Sequence, residues 1–234
     1  MCGRYTNTAS AGELSERLHL PIVSDDGTGR YNIAPTQEVL AVVRDDDSLE
    51  ARMLRWGLVP RWAKDTKSGA RMINARLETV AEKPSFRSLV PKASHRALQI
   101  GDGYFEWIKP ERRGEPRQPF YFQLEGGEPF AFASLWTSAM IDGEQIESVT
   151  MLTCDSASNR VVSAIHNRMP VILPDQAARE AWLDPTVGTE EALAMCGPLP
   201  AARIAVRPVT TAVNRVGPGA EGPGMLAPPE PQED

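Results

Sequence analysis

Short stretches with strand character dominate the sequence, and turn residues separate them. These stretches are rich in aliphatic and aromatic residues and lie at 39–43, 53–58, 97–100, 120–123, 130–134, 149–153, 171–173 and 204–209. Helical segments do not alternate with them in the regular order of a doubly wound parallel sheet. The pattern therefore predicts an α+β fold in which mixed and antiparallel strands predominate.

Helical signals are fewer, and the segments that carry them are short. Ser10 followed by Glu13 has the form of a capping box, and Leu14 and Leu18 follow at the spacing of one helical face. This predicts a helix over residues 10–20. Pro174 suits the first turn of a second helix that reaches residue 183, and residues 189–195 are a third short candidate.

The length of the chain suits one domain followed by a short tail. A chain of 234 residues with 41% hydrophobic content can bury a full core. Residues 217–234 contain five Pro, four Gly and four acidic residues but no basic residue. Such a composition buries too little apolar surface to offset the entropy of ordering. We therefore predict one folded domain over residues 2–216 and a disordered tail over residues 217–234.

Other features of the composition argue against several classes of protein. No apolar run approaches the roughly 20 residues of a membrane span. The three cysteines, Cys2, Cys154 and Cys196, are widely spaced, which argues against a disulfide framework and a metal site. No Gly-rich phosphate loop is present. We expect a cytoplasmic monomer in a reducing compartment, with no metal, no cofactor and no membrane partner.

Basic residues are concentrated in one part of the chain. The 25 basic and 31 acidic residues give a formal net charge of −6, yet residues 51–100 contain eleven Lys or Arg and only three acids. Trp56, Trp62 and Phe86 lie within this segment. Basic charge with interleaved aromatic residues is typical of nucleic-acid-binding surfaces, because affinity depends on local counterion release. A solvated basic face is the alternative, and on charge alone it is the simpler interpretation.

Cys2 becomes a distinctive nucleophile if the initiator Met1 is removed. The free α-amino group has a pKa of about 7.7–8.0, against about 10.4 for lysine, so much more of it is neutral near pH 7. Such an amine forms an imine with an aldehyde, and the adjacent thiol can then add to the imine and close a thiazolidine ring. A small, half-buried residue at the start of a strand is the alternative interpretation of Cys2.

Glu106 and His166 are candidates for proton transfer. Strand periodicity over residues 103–107 places Glu106 on one face with Tyr104, among aromatic neighbours whose desolvation would raise its pKa. His166 precedes the apolar segment 171–173, and histidine titrates near neutral pH unaided, so it could protonate a sugar oxygen. An ion pair for Glu106 and a structural hydrogen bond for His166 are the alternatives.

Asn74 and Arg76 point the same way if their segment is extended, and an amide beside a guanidinium suits a phosphodiester or a base edge. Arg4, two residues after Cys2, would share its strand face and could hold a phosphate beside the reacting carbon. Surface ion pairs are the alternative for each arginine.

Six short segments resemble the SOS response-associated peptidase (SRAP) family and occur in the order of that family. They are MCGRY at 1–5, YNIAPT at 31–36, RWGLVP at 55–60, INARLE at 73–78, GYFEW at 103–107 and HNRMP at 166–170. Each motif is short, but six in one order make chance unlikely as an explanation. The resemblance extends over about residues 2–214.

The resemblance implies a sensor and processor of abasic sites in single-stranded DNA, acting in the DNA damage response. Cys2 would crosslink covalently to the ring-opened deoxyribose through a thiazolidine, with Asn74, Glu106 and His166 as the other catalytic residues. It further implies DNA contacts from Arg4, Arg76 and Arg168. Trp56, an aromatic residue of the basic segment, is the fourth candidate for contact with DNA. The implied fold is a β-rich α+β fold, a barrel-like core with short flanking helices and a basic cleft, in a protein associated with the nucleoid when bound to DNA.

The family name also implies a peptidase activity that exposes Cys2 by removing what precedes it. Two alternatives therefore stay open. A cysteine hydrolase acting through Cys2 and His166 would turn over added peptides without DNA. A noncovalent single-stranded DNA-binding protein would bind in a salt-dependent manner and leave no denaturant-resistant complex.

Overall fold

A computed structural model describes residues 2–108 and 116–230 of the chain. In these residues the strands are β1 (Tyr5–Asn7), β2 (Arg30–Ile33), β3 (Glu38–Asp45), β4 (Ser48–Trp56), β5 (Asn74–Arg76), β6 (Arg96–Gly101), β7 (Gly103–Trp107), β8 (Pro119–Leu124), β9 (Phe130–Ile141), β10 (Glu144–Asp155), β11 (Arg168–Pro170), β12 (Ile172–Leu173) and β13 (Ile204–Pro208). The α-helices are α1 (Ala11–Leu18), α2 (Arg160–Ser163), α3 (Gln176–Leu183) and α4 (Thr189–Ala194).

Five strands close into a barrel at the centre of the molecule. Their order is β4–β3–β6–β9–β10, and β10 returns to pair with β4. The β4–β10 pairing is parallel, whereas the others in the ring are antiparallel. Val39–Val43 of β3 are buried without interruption, which explains why this segment is apolar throughout rather than alternating. The barrel confirms the predicted β-dominated α+β fold with a barrel-like core.

A second, open sheet packs beside the barrel and carries the N-terminal segment. Its order is β13–β8–β7–β1–β2, with every pairing antiparallel. Asp102 separates the barrel strand β6 from β7 of this sheet, and its buried carboxylate accepts hydrogen bonds from Thr6 Oγ1 at 2.5 Å and from the Thr8 backbone N–H at 2.6 Å. These bonds fix β1 against the start of β7.

Close packing at the start of β7 requires a glycine. A Cβ atom on Gly103 would lie 2.1 Å from the Tyr121 hydroxyl oxygen of β8. That hydroxyl in turn lies 3.0 Å from Thr6 Oγ1, so Tyr121 joins the polar network that holds β1. Any larger residue would push β8 away from this network.

Two short strands pair with the second half of β10. β5 runs parallel to it, with Met151 opposite Asn74, and β11 runs antiparallel on its other side, with Cys154 opposite Met169. These pairings carry Asn74 and the segment after His166 to the same end of the barrel.

The helices agree with their sequence signals. α1 corresponds to the predicted helix over residues 10–20, and Ser10 caps it by accepting a hydrogen bond of 3.3 Å from the Glu13 backbone N–H. α3 and α4 correspond to the helices predicted at 174–183 and 189–195. Trp182 of α3 anchors that helix on the barrel by donating from Nε1 to the Ala97 carbonyl at 3.0 Å. Among the described residues, no helix has the length and apolar character needed to span a membrane.

The segment after residue 216 differs from the disordered tail that its composition predicts. Residues 217–230 lie against the second sheet and include a 3₁₀ turn over Pro223–Leu226. Met225 is buried beside Phe105, and the Glu221 carboxylate accepts hydrogen bonds from the backbone N–H groups of Tyr31 and Asn32. A few specific polar contacts and one buried methionine hold a segment whose proline content already limits its unfolded conformations. Residues 231–234 lie outside the described residues.

Candidate functional site

Cys2 lies just before β1 and is fully buried in the main core, in the cluster that also contains Tyr5 and Tyr104. Its backbone carbonyl accepts a hydrogen bond of 2.7 Å from Asn74 Nδ2, and its Sγ lies 3.7 Å from the Arg4 carbonyl oxygen. Burial, together with the nearby Glu106 carboxylate, raises the pKa of the thiol well above its usual range. The resting form of Cys2 is therefore the thiol, and a neighbouring base must take its proton before it can act as a nucleophile.

Asn74 brings the barrel into contact with Cys2. β5 is extended as the sequence predicts, and it leaves Asn74 half-buried, Ala75 buried and Arg76 exposed. The Asn74 Oδ1 atom is buried and has no hydrogen-bond partner within residues 2–108 and 116–230. Since a buried acceptor without a partner is costly, this oxygen is suited to receive a donor from a bound substrate.

Glu106 lies on β7 among aromatic side chains, and only 3% of it is exposed. The predicted two faces of β7 are present: Tyr104 belongs to the main core, whereas Phe105 and Trp107 belong to a satellite cluster. Burial raises the pKa of the Glu106 carboxyl to about 7. At neutral pH this carboxyl is thus present in both forms, so it can donate and accept protons.

His166 faces Glu106. Its Nδ1 lies 3.7 Å from Glu106 Oε1 and 3.0 Å from the Arg168 backbone N–H, which donates to it. The turn after α2 fixes its backbone, because His166 N–H donates to the Val162 carbonyl at 2.9 Å and Ser156 Oγ donates to the His166 carbonyl at 2.7 Å. About a quarter of the side chain is exposed, at 24%, so the imidazole links the buried carboxyl to solvent.

Arg168 is used within the protein rather than at an open surface. Its guanidinium makes two parallel bonds to the Glu78 carboxylate, at 2.8 and 2.9 Å, and a third to the Thr153 carbonyl at 2.6 Å. Only 9% of the residue is exposed. Pairing of β11 with β10 turns this side chain inward, so the guanidinium that the resemblance assigns to DNA instead holds the His166 segment against Glu78.

The position of Trp56 contradicts the expectation that this residue contacts DNA. The side chain is fully buried, its ring makes an edge contact with Tyr5 at 5.2 Å between centroids, and its Nε1 donates to the Ile73 carbonyl at 2.9 Å. It therefore cannot stack on a nucleotide base. Its position in a closed barrel strand explains the difference, and the exposed indole of this segment is Trp62, at 65% exposure.

Two open clefts contain neighbours of Cys2 in their linings, and each is about 460 Å³ in volume. One adjoins Asn74 and is lined by the basic residues Arg71, Arg76 and Lys83. The other adjoins Gly3 and is lined by Arg4, Pro35, Trp107, Arg117 and Asn214. Both clefts thus carry cationic side chains, and each contains a neighbour of Cys2: Asn74, which bonds to its carbonyl, in one, and Gly3, the next residue in the chain, in the other.

Arg4 departs from the predicted strand face of Cys2. Regular pairing of β1 begins only at Tyr5, and Cys2 and Tyr5 share the main core, so simple alternation does not extend back to Cys2. The Arg4 guanidinium instead lies 6.0 Å from the centre of the Trp107 ring. Arg4 therefore belongs to the second cleft rather than to the core around the thiol.

Trp107 is a candidate that sequence reasoning did not assign. Its ring is partly exposed in the cleft beside Arg4, and its Nε1 donates to Asn214 Oδ1 at 2.6 Å. The signal was present, because the alternation along residues 103–107 places Trp107 on the face opposite Glu106. What the sequence did not show is that this face opens onto the Arg4 cleft.

The basic segment 51–100 separates into groups with different surroundings. Arg96 is buried, and its guanidinium donates to the carbonyls of Trp182 and Val187. Arg52 is paired with Asp45, Glu50 and Glu147. Only part of the segment, including Arg71, Arg76 and Lys83, faces a cleft. Linear charge density thus overstates the basic surface beside Cys2.

The donor groups of the site suit covalent chemistry by side chains. Within residues 2–108 and 116–230, no cluster of three or more His, Cys, Asp or Glu is arranged to hold a metal ion. The groups near Cys2 are the amide of Asn74 and the carboxyl of Glu106, whose pKa is raised, and the imidazole of His166 lies against that carboxyl. Together they can position, protonate and deprotonate a reactant.

Comparison with known proteins gives consistent matches. The family model described as SOS response associated peptidase (SRAP) matches residues 1–216. The abasic site processing protein YoqW of Bacillus subtilis is 38% identical over 192 residues, covering 79% of this chain and 81% of that protein. The abasic site processing protein YedK of Escherichia coli is 32% identical over 223 residues, covering 92% and 95%.

A solved structure supports the same fold. The crystal structure of a protein from Bacteroides thetaiotaomicron matches with a TM-score of 0.81 at 23% identity, covering 97% of this chain and 99% of that one. At this identity the likeness concerns the arrangement of the strands and helices.

Proposed function

The chain belongs to the SOS response-associated peptidase family, and we propose that it processes abasic sites in single-stranded DNA by forming a covalent bond between Cys2 and the opened sugar. The names of its relatives support abasic-site processing. The observation that carries the finer proposal is a chain of contacts that begins at the buried Cys2. Asn74 bonds to its carbonyl, Glu106 lies near its thiol, and His166 lies 3.7 Å from Glu106.

Removal of Met1 makes the Cys2 amine the attacking group. The amine is then held by the N-terminal segment before β1, which Asn74 anchors by a hydrogen bond of 2.7 Å to the Cys2 carbonyl. An α-amino group of ordinary pKa is neutral in about a tenth of molecules near pH 7, far more than a lysine amine. The amine and the thiol belong to one residue that is held beside the substrate. Imine formation by the amine and the later addition of the thiol therefore both occur at a high effective concentration.

His166 opens the sugar ring. An abasic deoxyribose is a cyclic hemiacetal, and opening it requires that the ring oxygen gain a proton while the anomeric hydroxyl loses one. The C1′–O4′ bond then breaks and the C1′ aldehyde forms. His166 is suited to donate the first proton, because its ring lies between the buried carboxyl of Glu106 and solvent.

Glu106 transfers the protons of the condensation. The Cys2 amine adds to the aldehyde carbon, and one of its protons passes to the carbonyl oxygen, which gives a carbinolamine. The protonated carboxyl of Glu106 donates to the departing hydroxyl, so that one water leaves and a protonated imine remains. The resulting carboxylate accepts the proton of the Cys2 thiol, and the sulfur adds to the imine carbon, which completes a neutral thiazolidine and leaves Glu106 protonated again. A pKa of about 7 suits both directions of transfer.

The two clefts beside Cys2 give a route for the flanking nucleotides. Arg76 lines one cleft and Arg4 the other, and both can contact phosphates. The partly exposed ring of Trp107 is suited to stack on an unpaired base. An abasic site in a single strand would thus pass across Cys2 with its phosphates on both sides.

Crosslinking to synthetic DNA tests the proposal. The protein and a single-stranded oligonucleotide with one abasic site should give a band that survives heat and denaturant, whereas the same oligonucleotide with an intact base should not. Cys2→Ala should give no such band. If Cys2→Ala crosslinks as well as the parent protein, the proposal is overturned. Turnover of an added peptide in the absence of DNA would favour the hydrolase alternative.

A further inference from the structure

Asn32 connects the Arg4 cleft to the segment after residue 216. Only 2% of Asn32 is exposed. Its Oδ1 accepts a hydrogen bond of 2.7 Å from Arg4 Nη1, and its Nδ2 donates to the carbonyls of Arg215 and Ala220, each at 2.9 Å. A single buried amide therefore binds the arginine beside Cys2 and the backbone of the C-terminal segment at once.

Residues 217–226, here called the strap, lie along the edge strand β2. The Glu221 carboxylate accepts hydrogen bonds from the backbone N–H groups of Tyr31 and Asn32, the second at 3.2 Å. Met225 is buried in the satellite cluster with Val213. The strap thus covers polar groups that an edge strand would otherwise leave open, and it fixes the backbone of Asn32.

The guanidinium of Arg4 is held on one side only. Nη1 donates to Asn32 Oδ1 and to the carbonyls of Val213 at 2.5 Å and Arg215 at 3.3 Å. In the part of the chain that the structure describes, every hydrogen bond of this guanidinium uses Nη1. Nε and Nη2 therefore stay available to a ligand in the cleft that Arg4 and Trp107 line.

We propose that the strap is part of the DNA interface: it orients Arg4 toward a phosphate of the bound strand, with Asn32 and Glu221 as positioning residues. The inference rests on the proposed function, since it assigns a phosphate contact to the same site. An arginine side chain that is already ordered loses less conformational freedom when it binds a phosphate.

Because Glu221 of the strap is acidic, the direction in which its replacement changes DNA affinity tests the proposal. Glu221 is an acid close to a nucleic-acid interface, so simple electrostatics predicts that its removal strengthens binding to DNA. Positioning predicts the opposite, because Arg4 loses its support. Glu230 is a matched control, since its removal changes the net charge equally and it lies beyond the strap.

The experiment measures affinity for an undamaged single-stranded oligonucleotide, together with the rate of Cys2 reaction with free 2-deoxyribose. We expect Glu221→Ala to weaken DNA binding about 5-fold to 10-fold, the size of one lost charge-assisted contact. Glu221→Gln, which keeps an acceptor, should recover most of the affinity. Glu230→Ala should bind as tightly as the parent or more tightly, and the reaction with 2-deoxyribose should be unchanged in all three variants.

A double mutant separates positioning from general destabilisation. In an Arg4→Ala background, Glu221→Ala should have little further effect on affinity, because the supported side chain is already absent. Asn32→Asp, which keeps an acceptor for Arg4 but loses both donors to the strap, provides a second test if Glu221→Ala does not fold. Equal losses in both backgrounds, or tighter binding by Glu221→Ala, would overturn the proposal. Absence of a covalent adduct with abasic DNA would instead refute the proposed function. The affinities for undamaged single-stranded DNA do not depend on that adduct, so they would still test the role of the strap.

Discussion

The Asn74 side-chain amide donates a hydrogen bond of 2.7 Å to the backbone carbonyl of Cys2. This bond joins β5, which is paired with the barrel strand β10, to the N-terminal segment of the second sheet. The nucleophile is therefore held by the barrel although it is not part of it. Glu106 of β7 lies near the Cys2 thiol, and His166, in the turn after α2, lies 3.7 Å from Glu106.

Loss of the Asn74 amide should release Cys2. We expect Asn74→Ala to lower the rate of crosslinking by about 10-fold to 100-fold, because the amine is no longer held beside the sugar. The free energy of unfolding should fall by only about 1 kcal/mol, the net value of one hydrogen bond. Single-turnover crosslinking and urea denaturation measure the two effects. An unchanged rate in Asn74→Ala would show that the bond to Cys2 has no part in the chemistry.

The raised pKa of Glu106 predicts how stability depends on pH. The folded protein holds the Glu106 proton up to about pH 7, whereas the unfolded chain releases it near the ordinary value of 4.5. Stability is therefore lost as the pH rises between these values. Between pH 4 and pH 8 the free energy of unfolding of Glu106→Gln should therefore rise, relative to that of the parent, by on the order of 3 kcal/mol. Urea denaturation at pH 4 and pH 8 measures these free energies of unfolding, and the exposed Glu16→Gln is the control. If the difference in stability between Glu106→Gln and the parent is the same at both pH values, the prediction is wrong.

Arg76 and Arg52 should differ in their contribution to DNA binding. Arg76 is exposed in the cleft beside Asn74, whereas Arg52 is paired with Glu50 at 2.7 Å and with two further acids. Arg76→Ala should reduce the salt dependence of single-stranded DNA affinity by about 0.7 in the log–log slope, the value for one phosphate contact. Arg52→Ala should leave the slope unchanged. The proposed route for DNA would be wrong if the two variants behaved alike.

The two indoles Trp56 and Trp107 should have separate effects. Trp56 is fully buried, so Trp56→Ala should cost about 3–5 kcal/mol of stability. Trp107 is partly exposed beside Arg4, so Trp107→Ala should weaken DNA binding by about 1–3 kcal/mol with a much smaller effect on folding. Thermal denaturation and fluorescence titration with an oligonucleotide distinguish them. Normal DNA affinity in Trp107→Ala would remove this ring from the interface.

The sequence predicted those features that depend on neighbours along the chain. The two faces of β7 follow from strand alternation, and α1 follows from Ser10 and the spacing of Leu14 and Leu18. The β-dominated fold could be inferred because several strands are long and apolar. The shortest strands gave weaker signals, since three residues do not establish a period.

Features that depend on distant partners could not be predicted. Arg168 is paired with Glu78, which lies 90 residues away in the chain, and nothing local distinguishes it from an arginine that faces DNA. Trp56 is buried because its strand closes a barrel. The segment after residue 216 is held by Asn32, a contact across more than 180 residues. Composition alone predicted that this segment has no structure.

The intact mass of the protein after reaction with a single-stranded abasic oligonucleotide tests the central claim most directly. The proposed chemistry predicts one adduct whose mass is that of the chain without Met1 plus the oligonucleotide minus one water, and no adduct for Cys2→Ala. An adduct that retains Met1, or an equal adduct formed by Cys2→Ala, would contradict covalent capture by the Cys2 amine and thiol.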